Sequence, residues 1–346
     1  MNCAIAKATR TLLCSACGSR SFAATRLWQE GRIKCSDGVD AQISYLQAPG
    51  HGARPYLAMG AAGASSPGVG EPVQYAPQAR FICDARREQP SLDREGAVLR
   101  RQETALRQQD FYDEQRIIDA YYKEICEVVK SATGADQVIA FHHIVRNERL
   151  ALQLADGDAS KLSGFDNGSG GVGGYARNAH ADYTTATAVG AARQALCSVD
   201  DEEIVKRCAG SRFALVNAWR SISDSSPVVT HPLALLDATT VCEDDVVLVD
   251  LLYPGFVSES LQITFSPKHR WLYWPCMVKD EVVLFKQYDS DRRRAQHAFH
   301  CAFEESALGP ARESIEVRTV AFFCAEPATE DLLQRGKSLG AEEVRP

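Results

Sequence analysis

No stretch of this chain approaches the ~18 consecutive apolar residues that a membrane-crossing helix needs, so a helical membrane protein is not expected. Basic charge is also in short supply. The 38 lysines and arginines face 45 aspartates and glutamates, leaving a net charge of -7. The one dense basic run, Arg292-Arg293-Arg294, follows Asp289 and Asp291 and reads as a solvated loop. Nucleic-acid binding calls for a basic face or stripe, so no nucleic-acid partner is expected. Cysteine is plentiful, at 12 residues, but matched cysteine pairs are missing. Cys14 and Cys17 form the single CxxC, with no second CxxC or HxxxH to complete the four ligands of a structural zinc site. With no secretory signal read in the sequence, the cysteines are expected as reduced thiols in a cytoplasmic setting. The first 28 residues carry Lys7, Arg10, Arg20 and Arg26 and no acid, which resembles a mitochondrial transit peptide. A disordered extension or a misplaced gene start would look the same. There is no internal repeat.

What the chain does have is organised from Arg80 onward. Residues 1–79 lack sustained periodicity and read as a poorly structured extension and linker, with Gly50 to Pro77 rich in Gly, Ala, Ser and Pro. Residues 110–131 carry Ile117, Ile118, Tyr121, Tyr122, Ile125, Val128 and Val129 at helical spacing. Asp110 or Asp113 caps the start of that helix and Gly134 ends it. A strand follows over Gln137 to Val145, then a Gly-, Asp- and Ser-rich loop over 155–179, a helix from Thr184 to Cys197, and a second helix from Asp200. Beyond Arg212 the texture becomes short strands: Phe213–Ile222, Leu233–Val241, Val246–Leu252, Leu261–Phe265, Trp271–Trp274, Val282–Tyr288 and Ile315–Phe323. Many short strands separated by turns indicate a mainly β jelly roll, a cupin-like double-stranded β-helix with flanking helices, in one domain over 80–330 and a tail over 331–346.

The segment Asn178-Ala179-His180-Ala181-Asp182-Tyr183-Thr184 carries the chemistry. On an extended backbone, residues i and i+2 point to the same side, so His180 and Asp182 converge on one cation. A histidine from a distant strand completes a 2-His-1-carboxylate triad, which leaves one face of iron(II) open for co-substrate and dioxygen. His297 and His300 compete for that place, and His300 is preferred because Ala302 and Phe303 continue a strand after it. Imidazole and carboxylate suit zinc as well as iron, so a zinc-holding or non-catalytic jelly-roll binding protein stays open at this point.

Arg312-Glu313-Ser314 opens an apolar strand. A guanidinium meets a carboxylate in bidentate geometry, and Ser314, two residues on, faces the same side. The pair suits the far carboxylate of a 2-oxo diacid, with Arg318 as the fallback anchor. In Asn217-Ala218-Trp219-Arg220-Ser221, polar groups interrupt an apolar strand, and buried polar groups need partners. Asn217 and Arg220 line an anion pocket or form an internal salt bridge. Tyr183, Trp219 and Trp274 either line an apolar substrate pocket or fill core. Loop 160–179 is a lid or an insertion. Gly168, Gly170 and Gly173 formally match the nicotinamide fingerprint, but no strand precedes them.

Together, FICDAR, SATGADQV, HADYT, NAWRSIS, PLALLDATTV, WPCMVKDEVVLFKQYDSD, HCAFEES and RESIEVR resemble the fungal hydroxylase/desaturase family that includes gibberellin desaturase-like and cephalosporin 7α-methoxylation protein-like enzymes. These stretches span about Arg80 to Phe323. The resemblance implies a double-stranded β-helix, iron(II) and 2-oxoglutarate as cofactors, and dioxygen plus a small secondary metabolite as substrates. By position, it implies iron ligation by His180, Asp182 and His300, and 2-oxoglutarate binding by Arg312.

Overall fold

Period-two alternation decides which face each strand buries, and the fold follows from it. The computed structural model describes residues 38–50, 54–59, 70–155, 172–253, 255–305 and 309–327. The CxxC pair, the basic amino-terminal segment, most of the glycine-rich loop and the 331–346 tail lie outside these residues. The strands are β1 (Gly38–Leu46), β2 (Tyr56–Ala58), β3 (Tyr75–Asp84), β4 (Ala97–Arg101), β5 (Gln137–Arg146), β6 (Val172–Gly173), β7 (His180–Ala181), β8 (Ser211–Ser221), β9 (Leu233–Leu236), β10 (Val246–Tyr253), β11 (Phe256–Ile263), β12 (Trp271–Tyr273), β13 (Glu281–Asp289), β14 (His300–Ala302) and β15 (Ser314–Pro327). They form a nine-stranded sheet in the order β1-β3-β12-β9-β14-β7-β11-β10-β2, and a six-stranded sheet in the order β4-β13-β8-β15-β5-β6. Most pairings are antiparallel, and the two curled sheets face each other as a jelly roll.

The linker expected over residues 1–79 is in part sheet. β1 pairs with β3 along its whole length, from Gly38 opposite Cys83 to Leu46 opposite Tyr75. Ile43 and Tyr45 are buried, so their apolar area, worth about 25 cal/mol per Å² removed from water, anchors the strand. The domain therefore begins by Gly38, not near Arg80.

In the six-stranded sheet, Val216, Ala218, Val282, Leu284, Ile315 and Val317 point outward onto Ile125, Val128 and Val129 of the helix Tyr122–Thr133. That helix is the one read from periodicity. It is entered through a turn capped by Asp113, whose side chain accepts from the Gln115 and Arg116 amides, and through a π turn at Ile117–Tyr121. It ends at Gly134, whose φ of 73° is the left-handed conformation that glycine adopts without steric cost. Inward, Trp219, Val283 and Phe285 meet Leu235, Leu272, Trp274 and Ala298 of the other sheet. At the opposite end, the helix Thr185–Cys197, capped by Thr184, lays Ala188, Ala192 and Ala195 against Leu215, Val320 and Phe322. Polar residues fill the space between these two apolar plugs.

The acid before the basic run is structural. Asp289 is fully buried and accepts from Arg212 Nε at 3.0 Å and Nη2 at 2.8 Å, and from Lys286 Nζ at 2.8 Å. Breaking a buried pair leaves its partner uncompensated, at about 3–5 kcal/mol. Glu326 still pairs with Arg212 and Asp93 with Lys286, which places Asp289→Ala near the lower bound, about 3 kcal/mol. Urea unfolding with an unchanged m-value is the check, and a loss under about 1 kcal/mol would make the cluster peripheral.

Candidate metal centre

β7 is only two residues long, but its register builds the site. His180 lies directly opposite His300 of β14 in an antiparallel pair. Side chains facing each other across such a pair stand ~5 Å apart, and here the imidazole centroids are 4.3 Å apart. Asp182, two residues after His180, faces the same side, with Oδ1 at 3.7 Å from His180 Nε2. One donor atom from each of His180, Asp182 and His300 lies within 4.8 Å of the others.

Hydrogen bonds fix the tautomers. His180 Nδ1 lies 2.8 Å from the Asn178 carbonyl, and His300 Nδ1 lies 3.2 Å from the Ala298 carbonyl. A carbonyl only accepts, so each Nδ1 carries the hydrogen and each Nε2 keeps its lone pair for a metal. Burial, reinforced by His300, pushes His180 down to about 4, and burial also lowers His300. Both rings are therefore neutral imidazoles at neutral pH. Burial acts to raise Asp182, but the Arg318 guanidinium, the two imidazoles and the Asn217 amide outweigh it and hold the carboxyl well below its usual range. Two neutral imidazoles and one carboxylate, held on a common face, fit a divalent iron.

His297, the rival histidine, does not share this site. Its Nδ1 meets the Gln287 carbonyl at 2.8 Å, and its ring packs near Tyr288 and Phe299. It lies ahead of β14, and its ring nitrogens are not among the donor atoms that converge.

The inner face of β8 and β15 supplies the neighbouring groups. Asn217 Nδ2 donates to Asp182 Oδ2 at 2.7 Å, and Gln287 Oε1 accepts from the Asp182 amide at 2.7 Å. Arg318 Nη2 lies 3.3 Å from Asp182 Oδ1, so the fallback anchor is engaged at the metal end. Arg312 and Ser314 are buried. The Arg312 guanidinium lies 4.3 Å from the Tyr175 ring and 5.5 Å from the Trp219 ring, and it donates to the His231 carbonyl. Among the described residues, Arg312 Nε and Ser314 Oγ have no hydrogen-bond partner. Unpartnered buried donors are costly, and a carboxylate is the group that would satisfy both. Burial pulls Arg312 down to about 10, still a cation at neutral pH.

Arg220 is not part of this arrangement. Three residues from Asn217, it points to the outer face, where its guanidinium sits 5.3 Å from the Tyr121 ring and donates to the Gln102 carbonyl at 2.9 Å. Trp274 packs in the apolar plug with Met277 and Val228, away from the polar layer. Trp219 joins that plug and also backs Arg312. Tyr183 packs with Ala188, Phe213 and Leu215, with Arg318 5.8 Å from its ring. Of the nicotinamide fingerprint, Gly168 and Gly170 lie outside the described residues. Gly173 ends β6, and the described chain beyond it runs into β7 with no helix to receive a pyrophosphate. A cavity of about 610 Å³ lined by Arg86, Arg212 and Lys286 contains none of the triad, and those cations are already paired with Glu281, Asp289 and Asp93.

Residues 43–322 match the family described as an oxidoreductase/YMDC permease-like domain, and no helix among the described residues is long and apolar enough to cross a membrane. The chain is 32% identical over 248 residues to the alpha-ketoglutarate-dependent dioxygenase phiK of a fungal species, covering 70% of this chain and 83% of that protein. It is a dioxygenase of the iron(II)- and 2-oxoglutarate-dependent family. This dioxygenase is also 30% identical over 267 residues to the hydroxylase/desaturase efuI of Hormonema carpetanum, covering 72% of the chain and 85% of the relative. Its fold matches the solved iron and alpha-ketoglutarate-dependent endoperoxidase NvfI at a TM-score of 0.66 and 25% identity, over 84% of this chain and 99% of that one. Iron and 2-oxoglutarate are the cofactors of the dioxygenase, and it takes dioxygen and a small molecule.

Sequence reasoning missed Gln287 and Tyr175. Gln287 had a signal, a lone amide inside the apolar strand Val282–Tyr288. Tyr175 had none, since it adjoins the glycine-rich loop.

Proposed function

We propose that His180, Asp182 and His300 ligate iron(II), that Arg312 and Ser314 bind the far carboxylate of 2-oxoglutarate, and that the enzyme hydroxylates or desaturates a small natural product in secondary metabolism. The convergence of the three donor atoms supports the ligand set most directly, and the unpartnered Arg312 Nε and Ser314 Oγ support the co-substrate anchor. Bound there, iron(II) supplies the activation of dioxygen that is coupled to oxidative decarboxylation of 2-oxoglutarate. The protein's own work is positional. His180 and His300 present lone pairs because Asn178 and Ala298 hold their Nδ1 hydrogens. Arg312 neutralises and orients the diacid. The apolar plugs around Trp219 and Phe285 on one side, and Phe213 and Phe322 on the other, keep bulk water from the polar layer. The substrate class follows the relatives, which are fungal biosynthetic oxygenases. A cytoplasmic, thiol-reducing setting belongs to the same reading.

Anaerobic enzyme loaded with iron(II) and 2-oxoglutarate is expected to form succinate and carbon dioxide when oxygen is admitted, faster with a culture extract containing its substrate. Succinate formation no greater than in an iron-free control, across a broad metabolite panel, rejects the proposal in favour of a binding protein.

A further inference from the structure

β15 carries Ser314, Glu316 and Arg318 inward at alternate positions, and the reading above uses only the first directly. Glu316 is buried, and a buried carboxylate persists only where it is partnered. Its partner is informative. Asn217 Nδ2 donates to Glu316 Oε1 at 3.0 Å and to Asp182 Oδ2 at 2.7 Å. An amide nitrogen has two hydrogens, so both are committed, one to each carboxylate. Asn217 Oδ1 has no partner among the described residues. A flipped amide would aim that oxygen at two carboxylates, so the arrangement permits one orientation of the side chain. Arg318 closes the ring, with Nη2 3.3 Å from Asp182 Oδ1 and Nε 3.6 Å from Glu316 Oε1. Glu316 thus secures the second hydrogen of the amide that holds Asp182. With Oδ2 taken, Asp182 turns Oδ1 toward His180 Nε2.

We propose that Glu316 is a positioning residue of the metal centre: it locks the Asn217 amide, which holds Asp182 so that a single carboxylate oxygen faces the metal. The proposal rests on Asp182 being a ligand. Outer partners of metal ligands are worth roughly 10- to 100-fold in metal affinity, which sets the scale of the test.

The test is Mn(II) binding to the full, metal-free chain, followed by the electron paramagnetic resonance of free Mn(II), with thermal unfolding alongside. Glu316→Ala is expected to weaken binding by roughly 10- to 100-fold, whereas Glu316→Gln, which keeps the Oε1 acceptor, is expected to stay within about threefold of wild type. In an Asn217→Ala background, Glu316→Ala should add nothing further, because the link it acts through is already gone. Wild-type affinity in Glu316→Ala, equal weakening in Glu316→Gln, or simple additivity with Asn217→Ala overturns the proposal. Should Glu316→Ala fail to fold, Asn217→Ala carries the test alone, and wild-type affinity there overturns it equally. Asp182→Ala is the reference. If it too binds Mn(II) like wild type, the ligand assignment itself fails; if it alone loses the metal, only the role of Glu316 does.

Discussion

Asp182→Ala is expected to weaken iron(II) binding by more than ~100-fold, the upper end for mere outer partners, and to stop succinate formation while the fold survives. The first effect follows from the donor count. Two imidazoles from facing strands remain, but the only anionic ligand is gone. The second follows from what Asp182 leaves behind. Asn217 still donates to Glu316, and Arg318 still faces the same acid at 3.6 Å, so no buried charge is stranded. The substitution also removes one of two carboxylates packed around one guanidinium, which makes large unfolding unexpected. Isothermal titration with iron(II) under anaerobic conditions, with far-ultraviolet circular dichroism as the fold check, decides it. Retained affinity would mean that the triad is a hydrogen-bonded histidine cluster. The two candidate histidines separate in the same assay. His300→Ala should behave like Asp182→Ala, and His297→Ala should bind iron normally, because among the described residues the converging donor atoms come from His180, Asp182 and His300 and not from His297.

The parts of this site that were legible in the sequence are those governed by local geometry. His-x-Asp reads as a two-pronged ligand because period two is a property of any extended backbone, and the capping residues Asp113 and Gly134 act within one helical turn. The same local rule, applied consistently, would have removed Arg220: an offset of three from Asn217 puts the two on opposite faces. It would also have found β1, where Val39, Ala41, Ile43 and Tyr45 alternate. That signal is short and followed by Gly- and Pro-rich sequence, so composition hid it. Long-range register was not legible. That His180 lies opposite His300, and Asn217 opposite Arg318, depends on how strands far apart in the chain align. A two-residue strand such as β7 carries too few side chains to announce its partner. The wiring of Glu316 and Arg318 to Asp182 follows from that alignment and was invisible without it. The proposed carboxylate anchor and the group beside Asp182 were hard to tell apart in RESIEVR for the same reason, since Ser314 and Arg318 share one face of β15, separated by distance along it, with Arg312 just ahead of the strand.

That distance gives Arg312→Ala its expected result, a rise of roughly 100-fold in KM for 2-oxoglutarate with a much smaller change in kcat at saturation. Successive inward positions on a strand are ~6.6 Å apart, so Ser314 and its neighbour Arg312 sit well down the strand from Arg318 at the metal. A diacid held at the metal by one end would reach the former, not the latter, with its other carboxylate. Hydrogen bonds to a charged group contribute about 1.5–3 kcal/mol, and tenfold corresponds to about 1.4 kcal/mol, so losing a buried charged donor set, at the upper end of that range, is worth about two powers of ten. The anchor is gripped equally before and during reaction, so the loss falls on KM. Ser314→Ala, removing one neutral donor worth about 1 kcal/mol, should raise KM about fivefold. Arg220→Ala should leave KM alone and lower stability instead, because its guanidinium ties Tyr121 to the outer face of the sheet. Arg318→Ala should act through metal affinity, since its partners are Asp182 and Glu316. An unchanged KM in Arg312→Ala, or an equal rise in Arg318→Ala at saturating iron, would move the anchor to the other end of the strand.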